Sequence, residues 1–503
     1  MDLPRKTIGK LLRPDWSVLQ IVAGFGSGLI LGIIGLRFSF LIVLWILAVA
    51  ILVYAVLKRP ELGLLCILIA TSSILFEEQL PLISIGSLSF HIPDILLISL
   101  LSLIVLRRLA NSGFRIVRTP LDTPLLIFYG VTLVSTLIAL SQSSVDIVDA
   151  RRAFRILSYY LTFFLVTNLI RERRQLNLLV NSFFLLATVV AAGMVAQYFL
   201  GRSVILLPGR VESLATKYGD VTRILPPGWS TILVSFVAIL CILVLVKNKP
   251  RKFLMFLQCG LLGIAILFTF LRSYWIALII VFFLLGYILK GYHKKKLIGW
   301  SLVAAFSIAI ILLVVSSDSD SGASRLVDAS IDRLSTLGKR GTFMGEDSSL
   351  KWRIIENKYA FSSIASSPLI GLGMGFTYRP WDPRLDPPSI RGFVYDLRKH
   401  IHNGHLWILL QSGLLGYLSL MWLSLAFLIR GFKYWRIIAD DRMRGVVLGF
   451  TLVYLVVLIA AVANSTFMQW RWTPIIGIMM GINEIILMKV DKKTQPHNKP
   501  NRF

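Results

Sequence analysis

Long, almost uninterrupted runs of apolar residues recur along the whole chain and are separated by short polar segments. In lipid every backbone polar group must be satisfied within its own segment, so such runs are predicted to be helices. A helix of about 20 apolar residues spans the roughly 30 Å of a bilayer's hydrocarbon core. We therefore expect an all-α, polytopic integral membrane protein with about fourteen transmembrane helices. The runs lie near residues 16–36, 38–57, 61–76, 93–106, 123–141, 155–170, 176–200, 229–246, 253–271, 274–289, 297–315, 405–429, 445–463 and 473–488.

The distribution of charge predicts which side of the membrane each connection faces. The connections on the side of the termini, together with the termini, hold 31 of the 53 Lys and Arg residues. Because basic residues accumulate on the cytoplasmic side of membrane proteins, both termini are predicted to be cytoplasmic. The net charge of +27 would suggest nucleic acid in a soluble protein. Here the charge is spread over short loops that can contact anionic lipid headgroups, so we expect the lipid bilayer as a partner and no nucleic acid.

This topology divides the chain into five parts. The apolar stretch after the basic N-terminal segment is too long for a signal-peptide core, so that segment is predicted to be a cytoplasmic lead-in. The parts are the lead-in at 1–15, helices 1–11 at 16–315, one large, partly helical extracytoplasmic loop at 316–404, helices 12–14 at 405–488 and a cytoplasmic tail at 489–503.

The large loop contains one predicted helix. Asp347-Ser-Ser, at the start of the stretch, is typical of a helix N-terminus, and Leu350–Ile364 follows as the helix with Pro368 ending it. The Ser-rich opening of the loop indicates a linker, so its acidic pair, Asp318 and Asp320, is not predicted to bind metal. The three cysteines lie inside apolar runs, which suggests neither disulfides nor a cysteine-based metal site.

Three of the six histidines cluster where the large loop enters the twelfth predicted helix. They are His400, His402 and His405, and Asn403 lies between them. The positive end of a helix favours neutral imidazole, which can accept a proton, so His402 is a candidate general base. The alternative is that these residues are interfacial polar groups that finish a loop. No acidic or cysteine ligand follows at a spacing typical of zinc sites, so metal binding is not predicted.

Two arginines are candidates for binding an anion. Arg272 stands between two apolar runs with almost no loop, where a charge is costly unless it reaches the interface or has a partner. Arg353 lies in the predicted loop helix, ahead of the glycine-rich run Gly371-Leu-Gly373-Met-Gly375. The planar fork of arginine meets phosphate oxygens bidentately. The alternatives are a snorkelled anchor for Arg272 and an ordinary surface arginine for Arg353.

Motifs for several other chemistries are absent from the sequence. It lacks the phosphate-binding loop Gly-x-x-x-x-Gly-Lys-Ser/Thr, the zinc motif His-Glu-x-x-His and the nucleophile motif Gly-x-Ser-x-Gly. The glycine-rich run has no strand and helix around it of the kind that a dinucleotide site needs. ATP hydrolysis, zinc proteolysis and lipase chemistry therefore have no local support, and no cofactor is predicted.

The combination of these motifs resembles the O-antigen ligase superfamily, which includes Wzy-type O-antigen polymerases. The resemblance rests on Arg272-Ser273, on Arg353 followed by the glycine-rich run, and on His402-Asn403 entering Leu-Gln-Ser-Gly-Leu-Leu-Gly. It covers roughly residues 225–425. The sequence departs from the family's commoner His-Asn pattern at His405, and the first two helices exceed the twelve of shorter members.

The resemblance implies a metal-independent glycosyltransferase in the bacterial inner membrane, with its active site facing the periplasm. It would move a glycan from undecaprenyl pyrophosphate to a hydroxyl of a glycan or glycolipid acceptor. Arg272 and Arg353 would hold the pyrophosphate, and His402 would be the general base. Arg223, Asn403 and His405 are further candidate substrate contacts. The alternatives are a Wzy-type polymerase, a transporter of polysaccharide or lipid-linked oligosaccharide, and a structural membrane protein.

Overall fold

The computed structural model describes residues 54–56, 58–75, 80, 82–85, 88–201, 204–216, 219–247, 252–302, 348–386 and 396–494. The chain divides into two units, residues 1–62 and 63–503, and almost all of the description concerns the second. The first predicted helix, nearly all of the second, most of the eleventh, and Asp318 with Asp320 lie outside the described residues.

The described part of the chain is mostly helical. The α-helices are α1 Pro60–Ser72, α2 Ile92–Ala110, α3 Asp122–Ser141, α4 Ile147–Ser158, α5 Thr162–Leu169, α6 Arg173–Leu200, α7 Trp229–Leu245, α8 Lys252–Phe268, α9 Arg272–Ile288, α10 Ser348–Ser366, α11 Gly404–Tyr434, α12 Asp441–Ala460 and α13 Thr473–Thr494. Residues 291–302 are also helical. Short 3₁₀ turns occupy Tyr159–Leu161, Leu397–Lys399, Trp435–Ile437 and Thr466–Met468. The strands are β1 Ile83–Ile85, β2 Leu88–Phe90, β3 Arg210–Thr216 and β4 Gly219–Leu225.

Five of these helices are long and apolar enough to cross a membrane, which makes the chain a multi-pass membrane protein. They are α3, α6, α11 together with its following turn, α12 and α13. Helices α1, α7, α8 and α9 are apolar but shorter, at 13 to 17 residues. Most of the predicted runs therefore coincide with helices, and the loop helix at 350–364 is confirmed as α10. The total of about fourteen crossings stays a prediction.

The run at 155–170 is helical as far as Leu169, as predicted, but it is not one uniform α-helix. It is divided between the end of α4, the 3₁₀ turn at Tyr159–Leu161 and the eight-residue helix α5. Helix α4 begins earlier, at Ile147, where the side chain of Asp146 accepts a hydrogen bond from the Val148 amide. Its three arginines give it a polar face, which an apolar-run criterion does not detect.

The all-α expectation also fails at two hairpins. Strands β1 and β2 pair antiparallel, and so do β3 and β4. Both hairpins lie in predicted connections rather than in apolar runs, so the constraint that favours helices in lipid does not apply to them. In the longer hairpin Glu212 lies opposite Arg223, and cross-strand pairs of opposite charge stabilise such a ribbon.

The core is assembled through small residues that let helices approach closely. A Cβ atom added at Gly445 or Gly449 of α12 would lie 2.6 or 2.4 Å from Ile242 or Ala238 of α7. Added at Gly477 or Gly481 of α13, it would meet α5 at 2.3 or 2.6 Å. Both pairs have the Gly-x-x-x-Gly spacing that places two glycines on one face of a membrane helix. Any larger side chain at these positions would separate the helices.

Helix α11 is broken at Gly413, and the backbone of the large loop fills the break. Gly413 has φ +63°, and its ideal Cβ would lie 2.3 Å from the Leu369 carbonyl oxygen. The amides of Leu414 and Leu415 donate to the carbonyls of Pro368 and Leu369, at 2.8 and 3.1 Å. Non-helical backbone at membrane depth is tolerated where it is buried in protein. The glycine-rich run is therefore a structural partner of α11.

The predicted connections gather into two groups, as an alternating topology requires. Segments from the predicted cytoplasmic connections contact one another: Arg171 donates to the Arg115 carbonyl at 2.9 Å, and Arg173 pairs with Asp440. Segments from the predicted outer connections contact one another in turn: Lys399 pairs with Asp149 at 2.5 Å. Helix α12 runs from one group to the other. Asp440, just before it, belongs to a predicted cytoplasmic connection, and Asn464, just after it, belongs to a predicted outer connection.

Candidate active site

A cavity of about 1460 Å³ lies among the predicted outer connections. Helix α4 forms one wall with Asp149, Arg152, Ala153 and Ile156, which share one face because their spacing is i, i+3, i+4 and i+7. Other walls come from the β3–β4 hairpin, from α10, from the first turns of α9 and α11, and from the segment between α12 and α13. The cavity is larger than the 300–1,000 Å³ of sites for drug-sized molecules, so it has room for a larger ligand.

The lining is strongly basic and rich in aromatic rings. Within the described part of the chain it contains eight basic and two acidic side chains, and five tryptophan or tyrosine rings. Such a surface attracts anions electrostatically, and its aromatic faces provide flat apolar contacts. The basic residues are Arg152, Arg210, Arg223, Lys351, Arg353, Arg384, Lys399 and Arg471, and the aromatic ones are Trp229, Tyr274, Trp352, Trp407 and Trp470.

His402 lines this cavity and is paired with a buried carboxylate, Glu356. The Nδ1 atom of His402 lies 2.9 and 3.1 Å from the two carboxylate oxygens of Glu356. The backbone amide of His402 donates to the same carboxylate at 3.3 Å. An ionised carboxylate only accepts, so Nδ1 donates to Glu356, and in the neutral imidazole Nε2 then keeps its lone pair. Glu356 therefore fixes both the tautomer and the orientation of His402.

His400 lies beside His402 and is held in the neutral state. The two imidazole rings meet edge to face with centroids 5.2 Å apart, and His400 also packs against Trp407 at 4.7 Å. Burial lowers the pKa of His400 to about 4, and the neighbouring His402 contributes to that shift. His400 is therefore uncharged near neutral pH and does not add to the positive charge of the cavity.

The predicted arginines differ in their position relative to the cavity. Arg353 and Arg223 line it. The Nε atom of Arg223 donates to the Thr269 carbonyl at 3.0 Å, which ties the hairpin to the turn between α8 and α9. Arg272 is half-buried at the first position of α9 and is not a lining residue itself, but its neighbours Leu271 and Tyr274 are.

The turn that precedes Arg272 is strained. Phe270 has φ +51°, a conformation that costs a residue with a Cβ roughly 1–2 kcal/mol. It is held there by burial, with 2% of its surface exposed, and by contact with Trp275 at a ring distance of 6.0 Å. At the start of α9, Ser273 Oγ accepts a 2.6 Å hydrogen bond from Asn464, which lines the cavity. The strain thus serves to connect α8 and α9 almost without a loop.

Asn403 and His405 have local structural contacts. The side-chain oxygen of Asn403 accepts from the amides of His405 and Leu406 at 3.0 and 3.2 Å, which makes it the N-cap of α11. The two ring nitrogens of His405 bond to the Leu458 carbonyl at 3.1 Å and the Tyr417 hydroxyl at 3.2 Å. Neither residue is among those that line the cavity.

Glu356 was not among the candidate residues predicted from the sequence. It lies three residues after Arg353, so the two belong to the same face of α10. Only 4% of its surface is exposed. An acidic residue on the face of a loop helix that also carries the candidate arginine was the signal that could have singled it out.

Residues 257–421 match the family model described as O-Antigen ligase. This part of the chain belongs to the O-antigen ligase superfamily. The resemblance stated for the sequence is thereby confirmed, and the segment includes Arg272, Arg353, Glu356 and His402. The α4 wall and the β3–β4 hairpin of the cavity lie outside the matched segment.

Among curated proteins, none matches the chain. The protein is thus a multi-pass membrane protein with a segment from a superfamily associated with polysaccharide biosynthesis.

Proposed function

We propose that this protein is a membrane glycosyltransferase that moves a glycan from undecaprenyl pyrophosphate to a hydroxyl of an acceptor sugar. The observation that carries the proposal is the His402–Glu356 pair, with Nδ1 and carboxylate 2.9 Å apart, in the wall of a large basic cavity. The matched superfamily supports the reaction class. The reaction needs a base for the acceptor and positive charge for the leaving group, and a histidine and several arginines of the cavity lining are candidates for these roles.

In the proposed reaction, His402 takes the proton of the acceptor hydroxyl. The unprotonated Nε2 accepts it while the hydroxyl oxygen forms a bond to the anomeric carbon of the donor. The bond from that carbon to the pyrophosphate oxygen breaks, and the pyrophosphate leaves with the electron pair. The carboxylate of Glu356 stabilises the imidazolium that forms, as a buried acid does in other His-carboxylate pairs.

The leaving pyrophosphate would be stabilised by arginines. Arg353 lines the same cavity as His402, and Arg272 stands at the first position of α9, whose positive dipole end favours an anion. Guanidinium groups can bind two phosphate oxygens at once and need no metal ion to do so. Arg223 is a further candidate contact because it lines the same cavity and is held by the Thr269 carbonyl. Asn403 and His405 would support the site through their structural contacts.

We propose that the cavity opens to the periplasm and that both termini are cytoplasmic. Single cysteines at Pro383 and Ser112 would test this, because both positions are exposed and lie on opposite predicted sides. The native cysteines would first be replaced by alanine. A membrane-impermeant maleimide applied from outside should label Pro383→Cys and spare Ser112→Cys. The reverse pattern would place the cavity on the cytoplasmic side and contradict the proposal.

Reconstitution tests the activity itself. Purified protein in liposomes would be supplied with a lipid-linked repeat unit and an acceptor glycan, without nucleotide and with EDTA. Transfer should continue, and His402→Ala protein should serve as the inactive control. A ladder of products on the lipid carrier would identify a Wzy-type polymerase, whereas a single transfer to another acceptor would identify a ligase. Strict dependence on a divalent ion, or no transfer at all, would contradict the proposal.

A further inference from the structure

The deep part of the cavity differs chemically from its rim. The exposed side chains of the rim are basic: Lys351 is exposed, and Arg210 and Arg384 have 68% and 64% of their side-chain surface exposed. Two buried lining residues, Trp407 and Gln411, carry no charge and have only 8% and 2% of their surface exposed. They are four residues apart on α11 and therefore lie on the same face of its first half.

Both residues carry a buried polar atom without a hydrogen-bond partner among the described residues. These atoms are Oε1 of Gln411 and Nε1 of Trp407. The backbone carbonyl of Gln411, by contrast, is well used, since it accepts from Ser135 Oγ at 2.8 Å and from the Gly373 amide at 3.0 Å. The backbone position of Gln411 is thus fixed, while its side-chain oxygen has no hydrogen-bond partner among the described residues. A buried polar atom left unpaired costs about 1–3 kcal/mol, so each such atom calls for an explanation.

The neighbourhood of these residues indicates what could supply the missing partners. The ring of Trp407 packs on His400, with centroids 4.7 Å apart, and His400 packs on His402. Only the imidazole ring of His400 therefore lies between Trp407 and the proposed base in this series of ring contacts. An uncharged sugar ring offers hydroxyl or acetamido groups that both donate and accept, and an apolar face that packs on an indole. A phosphate group fits the basic rim better than it fits an amide and an indole.

We infer that Trp407 and Gln411 form a subsite for an uncharged sugar ring of the acceptor, the ring whose hydroxyl reaches His402. The inference rests on the proposed function and adds the residues that select the acceptor. The donor's pyrophosphate occupies the basic side of the cavity, and the acceptor ring occupies the uncharged side. Trp407 and Gln411 are binding residues in this scheme, and they take no part in proton transfer.

The test is a pair of conservative variants in the full-length protein reconstituted with donor lipid and acceptor. Trp407→Phe keeps an aromatic ring but removes the N–H together with the five-membered part of the indole, and Gln411→Met removes the amide while keeping its length. Each should raise the KM for the acceptor about ten-fold, the effect of one lost hydrogen bond to a buried group, while the donor KM changes less than two-fold. Ser419→Ala, a buried change on the same helix outside the cavity lining, should alter neither constant.

A second readout does not require turnover. Calorimetric titration with the oligosaccharide released from the source bacterium's own surface polysaccharide should show about ten-fold weaker binding to both variants. Unchanged acceptor KM and binding, or a rise in the donor KM alone, would overturn the inference and leave the proposed function intact. Full activity of His402→Ala would instead refute the proposed function. If Gln411→Met does not fold, Trp407→Phe decides the question by itself.

Discussion

The two ends of this molecule are both rich in arginine, yet they use it differently. At the predicted cytoplasmic end, Arg171 donates to the carbonyls of Asn168 and Arg115, each at 2.9 Å, and Arg436 donates to Ile288 at the same distance. These guanidinium groups join neighbouring connections. At the other end, arginines surround a cavity of about 1460 Å³ that also contains a histidine paired with a buried acid.

The comparison shows that density of positive charge does not identify a site. Juxtamembrane arginines are expected from membrane topology alone, and they satisfy backbone carbonyls that would otherwise be exposed at helix ends. A site needs charge that converges on a space, together with a group of different chemistry. In the proposed site that group is His402 with Glu356, so variants of these two residues should reduce transfer where variants at the other end do not.

The largest effect is expected for His402→Ala. Removing a positioned general base should lower turnover by roughly 10²–10⁴, while binding of the lipid-linked donor stays nearly unchanged. Transfer would be measured in liposomes, and donor binding on the same preparation. Thermal stability in detergent provides the control for folding. A variant as active as the parent would remove His402 from the mechanism and reduce the cavity to a binding surface.

A smaller effect, about 10- to 100-fold in turnover, is expected for Glu356→Gln. Glutamine can still bond to Nδ1, but it lacks the charge that stabilises the imidazolium. The KM for the donor should not change, because Glu356 does not contact it in the proposed reaction. Lys358→Gln, an exposed change on the same helix, is the matched control and should have no effect. If Glu356→Gln has the same turnover as Lys358→Gln and the parent, Glu356 is a packing residue only.

Much of the helical layout could be predicted because it depends on local sequence. The run at 123–141 corresponds to α3, Asp122–Ser141, and the run at 229–246 corresponds to α7, Trp229–Leu245. Length and apolarity suffice for such helices, since lipid allows their backbone no other partner. The same criterion placed the start of the helical stretch that follows α3 too late, at 155, because the amphipathic helix α4 already begins at Ile147.

The candidate site was predictable only in part, because its decisive contacts join residues that are distant in sequence. His402 and Glu356 are 46 residues apart, and no local pattern pairs them. The break in α11 at Gly413 was likewise hidden, since it depends on backbone hydrogen bonds to Pro368 and Leu369. Candidate residue types follow from sequence, whereas their partners follow from the fold.

Arg353→Lys is expected to lower turnover and to weaken donor binding, each by about ten-fold. Lysine keeps the charge but loses the planar fork that can bind two phosphate oxygens. Donor affinity and turnover would be measured together, because a loss in turnover alone would indicate a role outside donor binding. Retention of full activity and affinity would mean that Arg353 contributes only charge, and the assignment of bidentate pyrophosphate binding would be wrong.

The smallest effect is expected for the same substitution at the other end, Arg171→Lys. Arg171 uses its fork to bridge the carbonyls of Asn168 and Arg115, so lysine should lose one bridge and lower stability by about 1 kcal/mol. Turnover and donor affinity should stay within two-fold of the parent, since this contact joins two predicted cytoplasmic connections and lies outside the cavity lining. The measurement is a thermal unfolding midpoint in detergent together with the liposome transfer assay. A loss of transfer as large as that of Arg353→Lys, in protein that remains folded, would mean that the two arginine-rich ends are functionally coupled. The distinction between anchoring and catalytic arginines would then have to be abandoned.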